Sequence, residues 1–239
     1  MSQILSFYAQ LARFQADMYS LLGQRPWPLP GSGPLDSSSL STTFSTFLAL
    51  VARHGSPQLQ KDSDELKQEG ERAWSDLLSE YWQGSGQKMD ASRDFACRAF
   101  LQPVAELSRE AAKLSLKDYS QPVCPYCHRS PGAAILRPEG EGGKRFLQCS
   151  FCLAEWSFRR ILCPNCGEEN HIKLPVYTAD DFDCVRVEAC DTCKRYIKSI
   201  DLTKNGRADP VVDEIATTAL DFWARDHGYT KIALNLMGL

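Results

Sequence analysis

Four pairs of cysteines, each separated by two residues, are the feature of this sequence best suited to chemistry. The pairs are Cys124 and Cys127, Cys149 and Cys152, Cys163 and Cys166, and Cys190 and Cys193. Two intervening residues let one tight turn place two thiolates at adjacent corners of a tetrahedron, the geometry that zinc adopts with sulfur ligands. Iron accepts the same four-sulfur site. The pattern therefore predicts two closed four-thiolate sites holding two metal ions, zinc or iron.

The intervals between the pairs indicate a duplicated unit. They contain 21, 10 and 23 residues, so each half reads as a cysteine pair, a hairpin and a second pair. Three groupings of the pairs into two sites are possible, and we favour the local one because interleaved loops cost more chain entropy. The predicted first site is Cys124, Cys127, Cys149 and Cys152, and the second is Cys163, Cys166, Cys190 and Cys193.

The segment Cys124-Pro-Tyr-Cys-His128 also has the spacing used to attach c-type haem. This alternative is disfavoured because both cysteines have repeat partners. In addition, the N-terminal segment has the pattern of an amphipathic helix and not of a signal peptide. His128 stands where Gly167 stands in the third pair. That position often needs a left-handed backbone, so a structural role is expected for His128.

The remaining candidate residues do not suggest catalysis. Cys97 and Cys184 have no partner at metal-binding spacing and are expected in the core. His54, His171 and His227 form no evident cluster, and the sequence has no Walker loop, no GxGxxG motif and no convincing Ser-His-Asp signature. We therefore expect a protein that is not an enzyme.

Composition limits the remaining function classes. Hydrophobic residues make up 43% and charged residues 24%, which is typical of a packed globular protein. The net charge of −3 gives no general attraction to nucleic acid or anionic membranes, and no apolar run has the length of a membrane span. Two alternatives stay open: a nucleic-acid-binding zinc ribbon with a basic patch of Lys144, Arg145, Arg159 and Arg160, and an iron-dependent one-electron carrier.

Periodicity predicts helices in the first half of the chain. They cover residues 3–23, 36–55, 56–82 and 90–116. Serines are expected to cap the second helix and Gly55 to end it, and Pro103 predicts a break or kink in the fourth.

The second half predicts short strands and a final helix. One hairpin is expected from strands at 133–138 and 144–148 around a turn at 139–143, and a second from strands at 171–178 and 184–189 around a turn at 179–183. A strand at 195–202 follows. A helix over 209–228 is capped by Asp209, carries a buried stripe of Val211, Ile215, Ala219 and Phe222, and stops at Gly228, with the tail packing back on the body. The predicted class is α+β: a helical domain at 1–119, metal ribbons at 120–160 and 161–205, and a C-terminal helix and tail at 206–239.

The cysteine-rich half resembles the FdhE family of formate dehydrogenase accessory proteins. The resemblance is carried by the order of the cysteine pairs, Glu155-Trp156 after the second, Glu188-Ala-Cys-Asp-x-Cys at the fourth, and the run from Asp213 to the C-terminus. It implies a cytoplasmic, non-catalytic assembly factor that binds the catalytic subunit of a molybdenum- or tungsten-dependent formate dehydrogenase. It also implies two rubredoxin-like sites on the eight paired cysteines. The oligomeric state is left open, and nucleic acid is not an expected partner.

Overall fold

The computed structural model describes residues 2–84, 89–140 and 142–238. The chain divides into a helical unit, Met1–Leu114, and a sheet unit, Ser115–Met237. The predicted α+β class is confirmed: helices come first, then a sheet region with two groups of four cysteines, then two C-terminal helices. Within the described ranges, no helix combines the length and the apolarity that crossing a bilayer requires.

Four helices make up the described part of the helical unit. They are α1 (Ser2–Leu22), α2 (Ser41–His54), α3 (Pro57–Gln83) and α4 (Ala91–Ala112). Their apolar faces meet in an aromatic core in which the ring of Phe44 lies 4.8 Å from Phe100 and 5.9 Å from Phe47. The four helices predicted from periodicity are therefore present.

Helix α4 runs through Pro103 without interruption, so the predicted break is wrong. A proline cannot donate to the carbonyl four residues earlier, which here belongs to Ala99. The side-chain amide of Gln15 in α1 donates to that carbonyl at 2.7 Å, which satisfies the acceptor. The interruption lies instead in α3, at Gly70, whose φ of 82° and ψ of 173° suit a residue without a Cβ.

Helix α2 does not begin on a capping serine, contrary to the prediction. Its N-cap is Leu40, which makes no side-chain hydrogen bond, and Ser38–Leu40 form a 3-10 turn before it. Ser37 instead bonds the hydroxyls of Ser75 and Ser79 in α3 at 2.6 and 2.9 Å. The hydroxyl of Ser37 therefore serves contacts with α3 and does not cap the start of α2.

The sheet unit joins two three-stranded antiparallel halves into one sheet. Its strands are β1 (Pro131–Glu139), β2 (Gly142–Cys149), β3 (Glu155–Ser157), β4 (Val176–Tyr177), β5 (Val185–Cys190), β6 (Arg195–Asp201) and β7 (Thr230–Lys231). The strand order is β3-β2-β1-β6-β5-β4, and β7 pairs with β6 beside β1. The halves meet where β1 runs parallel to β6, with Ala133 opposite Lys198 and Leu136 opposite Asp201.

Both predicted hairpins form, but the second is shorter than expected. Strands β1 and β2 pair over their full length, and Glu141 in their turn lies outside the described residues. The segment His171–Lys173 is a 3-10 turn and not the start of a strand. The side-chain oxygen of Asn170 accepts from the amide of Ile172 at 3.1 Å, which offers the backbone an alternative to strand pairing.

The predicted C-terminal helix is split into α5 (Pro210–Ala216) and α6 (Thr218–Asp226). Asp209 caps α5 as predicted, accepting from the amides of Val211 and Val212. Thr217, between the helices, has a non-helical backbone. The break changes which residues face the sheet, so Ala219 and Phe222 of the predicted stripe are exposed. Leu220 and Ala224 are buried in their place.

A buried charge network accounts for this break. Lys198 of β6 donates to the backbone carbonyl of Glu214 and lies 3.4 Å from the carbonyl of Thr217. In a continuous helix both carbonyls would accept hydrogen bonds from backbone amides four residues later. The ammonium of Lys198 is also 2.6 Å from Asp221, and Lys231 of β7 is 2.9 Å from the same carboxyl group. Lys231 pairs with Glu214 as well, so two lysines balance two carboxylates beneath α5 and α6.

The helical unit contains a carboxyl group that is expected to make its stability depend on pH. Burial raises the pKa of Glu106 in α4 to about 7, against the attraction of Arg109 and with some help from Glu110. The folded chain therefore keeps a proton on Glu106 at pH values where the unfolded chain has lost it. The free energy of unfolding consequently falls as pH rises from about 4.5 to about 7, by up to about 3 kcal/mol.

We expect Glu106→Gln to remove this contribution. The variant should match the wild type near pH 5 and be more stable at pH 8, as measured by urea unfolding followed by circular dichroism at 222 nm. A control, Glu71→Gln, changes an exposed carboxylate of α3 that does not act on the pKa of Glu106 and should keep the wild-type pH dependence. Parallel pH profiles for the wild type and Glu106→Gln would contradict the assignment.

Candidate metal centres

Each group of four cysteines is built from two turns at equivalent places in its half of the sheet. In the first half, Cys124 and Cys127 precede β1, while Cys149 ends β2 and Cys152 lies in the turn before β3. In the second half, Cys190 ends β5 and Cys193 lies in the turn before β6. The hairpin between the two turns returns the second pair to the first.

The structure brings the eight cysteines together in the local grouping expected from the sequence. We call these groups the first quartet (Cys124, Cys127, Cys149 and Cys152) and the second quartet (Cys163, Cys166, Cys190 and Cys193). Within each quartet all sulfur atoms lie within 4.8 Å of one another. Among the described residues, no histidine or carboxylate joins either group.

The sulfur–sulfur distances fit a tetrahedral ion. In the first quartet Cys124 and Cys152 are 3.4 Å apart, and Cys127 is 3.4 Å from Cys149 and 3.7 Å from Cys152. In the second, the distances are 3.8 Å for Cys163 and Cys193 and 3.6 Å for Cys166 and Cys190. A regular tetrahedron with bonds of about 2.3 Å has edges of about 3.8 Å. The cysteines are unpaired as disulfides, so both quartets can hold an ion.

All four turns use the same backbone device. The residue after the second cysteine of each pair has a positive φ: 58° at His128, 52° at Leu153, 77° at Gly167 and 55° at Lys194. The prediction for His128 and Gly167 is confirmed, and the same geometry extends to the other two turns. A left-handed backbone costs a residue with a Cβ about 1–2 kcal/mol. Three turns accept this strain, which indicates that the position of the sulfurs constrains them.

Backbone amides point at the sulfurs inside these turns. The amides of Tyr126, Phe151 and Asn165 donate to the sulfur two residues earlier at 3.3 to 3.4 Å. Burial opposes ionisation of Cys149, but hydrogen bonds from the other three sulfurs and from the Phe151 amide hold its pKa well below the usual thiol value. The same hydrogen bonds among the sulfurs raise the pKa of Cys127 and Cys152, so one negative charge is concentrated on Cys149. A backbone amide aimed at a sulfur stabilises its thiolate, which is the form that metal ions bind.

The two quartets differ in exposure. Every cysteine of the first is buried, with exposures of 0, 8, 1 and 0% in chain order. In the second, Cys163 and Cys190 are buried, Cys193 is half-buried and Cys166 is exposed. Solvent and chelators therefore reach a ligand atom of the second quartet more directly.

Arg145 of β2 links the two halves of the sheet unit. Its guanidinium is 2.8 Å from Glu188 of β5 and donates to the carbonyls of Arg159 and Leu162, in the segment between the quartets. Burial would raise the pKa of Glu188, but Arg145 and then Arg186 outweigh it and hold that pKa below its usual value. The carboxylate is thus kept charged.

The four basic residues of the nucleic-acid alternative, Lys144, Arg145, Arg159 and Arg160, line one pocket of the sheet unit, but their charges are largely compensated. Arg145 is only 2% exposed and pairs with Glu188, so it adds little charge to the surface there. Lys144 pairs with Glu139 at 3.2 Å and Arg159 pairs with Glu169 at 2.7 Å. Because side chains alternate along a strand, Arg145 lies on the same face of β2 as the buried Leu147. This alternation could have predicted from the sequence that Arg145 is buried.

The motif residues beside the second cysteine pair hold the first half of the sheet together. Glu155 makes a two-point ion pair with Arg137 at 2.8 and 2.9 Å. The buried indole of Trp156 donates to the carbonyl of Gln121 at 2.9 Å. Of the unpaired cysteines, Cys97 is buried in α4 as predicted, and Cys184 packs half-buried against the core beside β5.

The fold and the two quartets define a protein with paired, rubredoxin-like four-cysteine clusters. Residues 123–160 match the family model of the FdhE central domain, and residues 161–237 match that of the FdhE C-terminal domain. A "Protein FdhE homolog" from Aquifex aeolicus is 32% identical over 196 residues, which cover 82% of this chain and 69% of that protein. The chain belongs to the FdhE family.

Other relatives match over a smaller share of their length. The FdhE homolog of Pseudomonas aeruginosa is 34% identical over 126 residues, and the match spans 49% of this chain and 40% of that protein. The crystal structure of the FdhE protein from Pseudomonas aeruginosa superposes with a TM-score of 0.68 at 24% identity, covering 99% of this chain and 93% of that one. At that identity the likeness establishes the fold.

Proposed function

We propose that this chain is a cytoplasmic, non-catalytic accessory protein in the maturation of formate dehydrogenase. It binds the catalytic subunit of a molybdenum- or tungsten-dependent enzyme. The observation that carries the proposal is membership of the FdhE family over 82% of the chain. The site supports it too, because the clustered groups are closed sulfur quartets, which suit a structural or sensing role better than substrate turnover.

The proposal includes two metal ions, each zinc or iron. Cys124, Cys127, Cys149 and Cys152 hold one, and Cys163, Cys166, Cys190 and Cys193 hold the other. A zinc ion supplies a fixed tetrahedral crosslink, whereas iron in the same site adds a one-electron couple. In either case the chain's own turns orient the sulfurs toward the ion.

The partner is tested by affinity capture from the native host. We expect the full chain, tagged and expressed at its natural level, to enrich the formate dehydrogenase catalytic subunit at least tenfold over an unrelated bait with the same tag. Deleting the gene should abolish formate dehydrogenase activity while the catalytic subunit is still synthesised. No enrichment together with normal activity in the deletion strain would refute the proposed function.

The unequal exposure of the quartets predicts unequal metal release. In the zinc-loaded protein, a coloured chelator should remove one ion at least tenfold faster than the other, because it reaches the exposed sulfur of Cys166 first. Cys166→Ser should bind one ion per chain and lose the fast phase. The matched change at the buried Cys149 should instead loosen the first half of the sheet, since metal binding supplies about 10 kcal/mol of folding free energy in zinc peptides. Equal release rates for both ions would contradict this account.

A further inference from the structure

A pocket of about 260 Å³ lies beside the second quartet, within the sheet unit. That volume corresponds to about eight or nine water molecules, enough for one or two amino-acid side chains. Cys163 and Cys190 form part of its wall, and Ile197 of β6 contributes to its apolar lining. None of the features described above assigns it a ligand.

The pocket occupies the face of the sheet opposite α5 and α6. On the helix-covered face, Val185, Val187 and Ala189 of β5 pack against Leu220 and Ala224 of α6. Because side chains alternate along a strand, Arg186 and Glu188 of β5 stand on the other face. Arg195 and Ile197 of β6 do the same, and all four line the pocket.

The charges around the pocket are unbalanced. Among the described residues its lining contains four arginines and one glutamate: Arg145, Arg160, Arg186, Arg195 and Glu188. Arg145 and Arg186 share the carboxylate of Glu188 at 2.8 and 2.9 Å. A divalent ion with four thiolates in the second quartet would carry two negative charges, which leaves one positive charge in excess. Arg160 is exposed and Arg195 is half-buried, so the excess positive charge is accessible from solvent and would attract an incoming anion.

Two of these arginines have no carboxylate of their own. Across the described ranges, neither Arg160 nor Arg195 has an acidic group within ion-pair distance. Arg195 donates to the carbonyl of Lys231 at 3.1 Å, and Arg160 is 3.5 Å from that of Gly143. Donors for a carboxylate are therefore already in place.

The rim of the pocket is apolar and exposed. Ile161 and Val176 line it and are 52% and 51% exposed, and Ile172, which follows the lining residue His171, is 75% exposed. Exposed aliphatic side chains beside unpaired arginines suit a ligand that joins a carboxylate to an apolar body. The apolar surface extends beyond the cavity itself, which favours a chain segment over a small free acid.

We propose that this pocket binds a peptide segment of a partner protein in which an acidic residue is flanked by aliphatic residues. The carboxylate pairs with Arg160 and Arg195, and the aliphatic side chains cover Ile161 and Val176. The proposal goes beyond the maturation role and is tested with synthetic peptides, so its failure would leave the capture experiment unaffected.

The test uses the full-length, zinc-loaded protein and a fluorescent, end-blocked pentapeptide with one glutamate between leucines. Fluorescence anisotropy should show saturable binding, and replacing the glutamate by glutamine should weaken it at least tenfold. Arg160→Gln and Arg195→Gln should each weaken binding at least fivefold. Arg207→Gln, a change at an exposed arginine of the same unit outside the pocket, should alter it less than twofold.

Three results would overturn the proposal. The first is the absence of saturable binding by the glutamate peptide. The second is equal affinity for the glutamate and glutamine peptides, or an equal effect of Arg207→Gln, since either would show that the pocket arginines do not recognise the carboxylate. The third is displacement of the peptide by isovalerate at a concentration near the peptide's own dissociation constant, which would identify a small free acid as the ligand.

Discussion

Eight sulfur atoms gathered in two groups, each within 4.8 Å, constrain the rest of the sheet unit. Four thiolates at this separation repel one another unless a cation lies between them, and four thiols leave buried polar atoms poorly satisfied. An ion held in each quartet would resolve both problems. The left-handed residues after each cysteine pair are explained by the same constraint, because three of them accept a strained backbone to place the sulfurs.

The two halves of the sheet unit are held together by contacts that cross from one half to the other. Parallel pairing of β1 with β6 makes the two halves one sheet, and Arg145 ties β2 to Glu188 and to the segment between the quartets. On the other face, Lys198 and Lys231 balance Glu214 and Asp221 and fix where α5 and α6 lie. These buried ion pairs add to the apolar packing of Leu220 and Ala224 in fixing how the two helices lie on the sheet.

The sequence predicted what depends on local spacing. The cysteine grouping follows from loop length, and the left-handed turn at His128 follows from comparison with Gly167. What depends on distant partners was missed. Pro103 does not break α4 because Gln15, 88 residues away, supplies the missing donor. The C-terminal helix is interrupted where Lys198 donates a hydrogen bond to one of its backbone carbonyls. Arg145 is buried because it forms an ion pair with Glu188 on another strand of the sheet.

Family membership and site geometry support the proposed function in different ways. Membership gives the family, whereas the quartets show where ions could be held and that the second of these sites is the more exposed. The pocket with unpaired arginines lies beside that more exposed quartet. A ligand in this pocket would lie against Cys163 and Cys190, which are two of the four cysteines of the second quartet.

The central claim is that each quartet holds one metal ion with four sulfur ligands. It is tested most directly by elemental analysis of protein from its native host, combined with X-ray absorption at the edge of the metal found. We predict two ions per chain and four sulfur neighbours at about 2.3 Å around each. Fewer than one ion per chain, nitrogen or oxygen in the first coordination shell, or disulfides within the quartets would contradict the account.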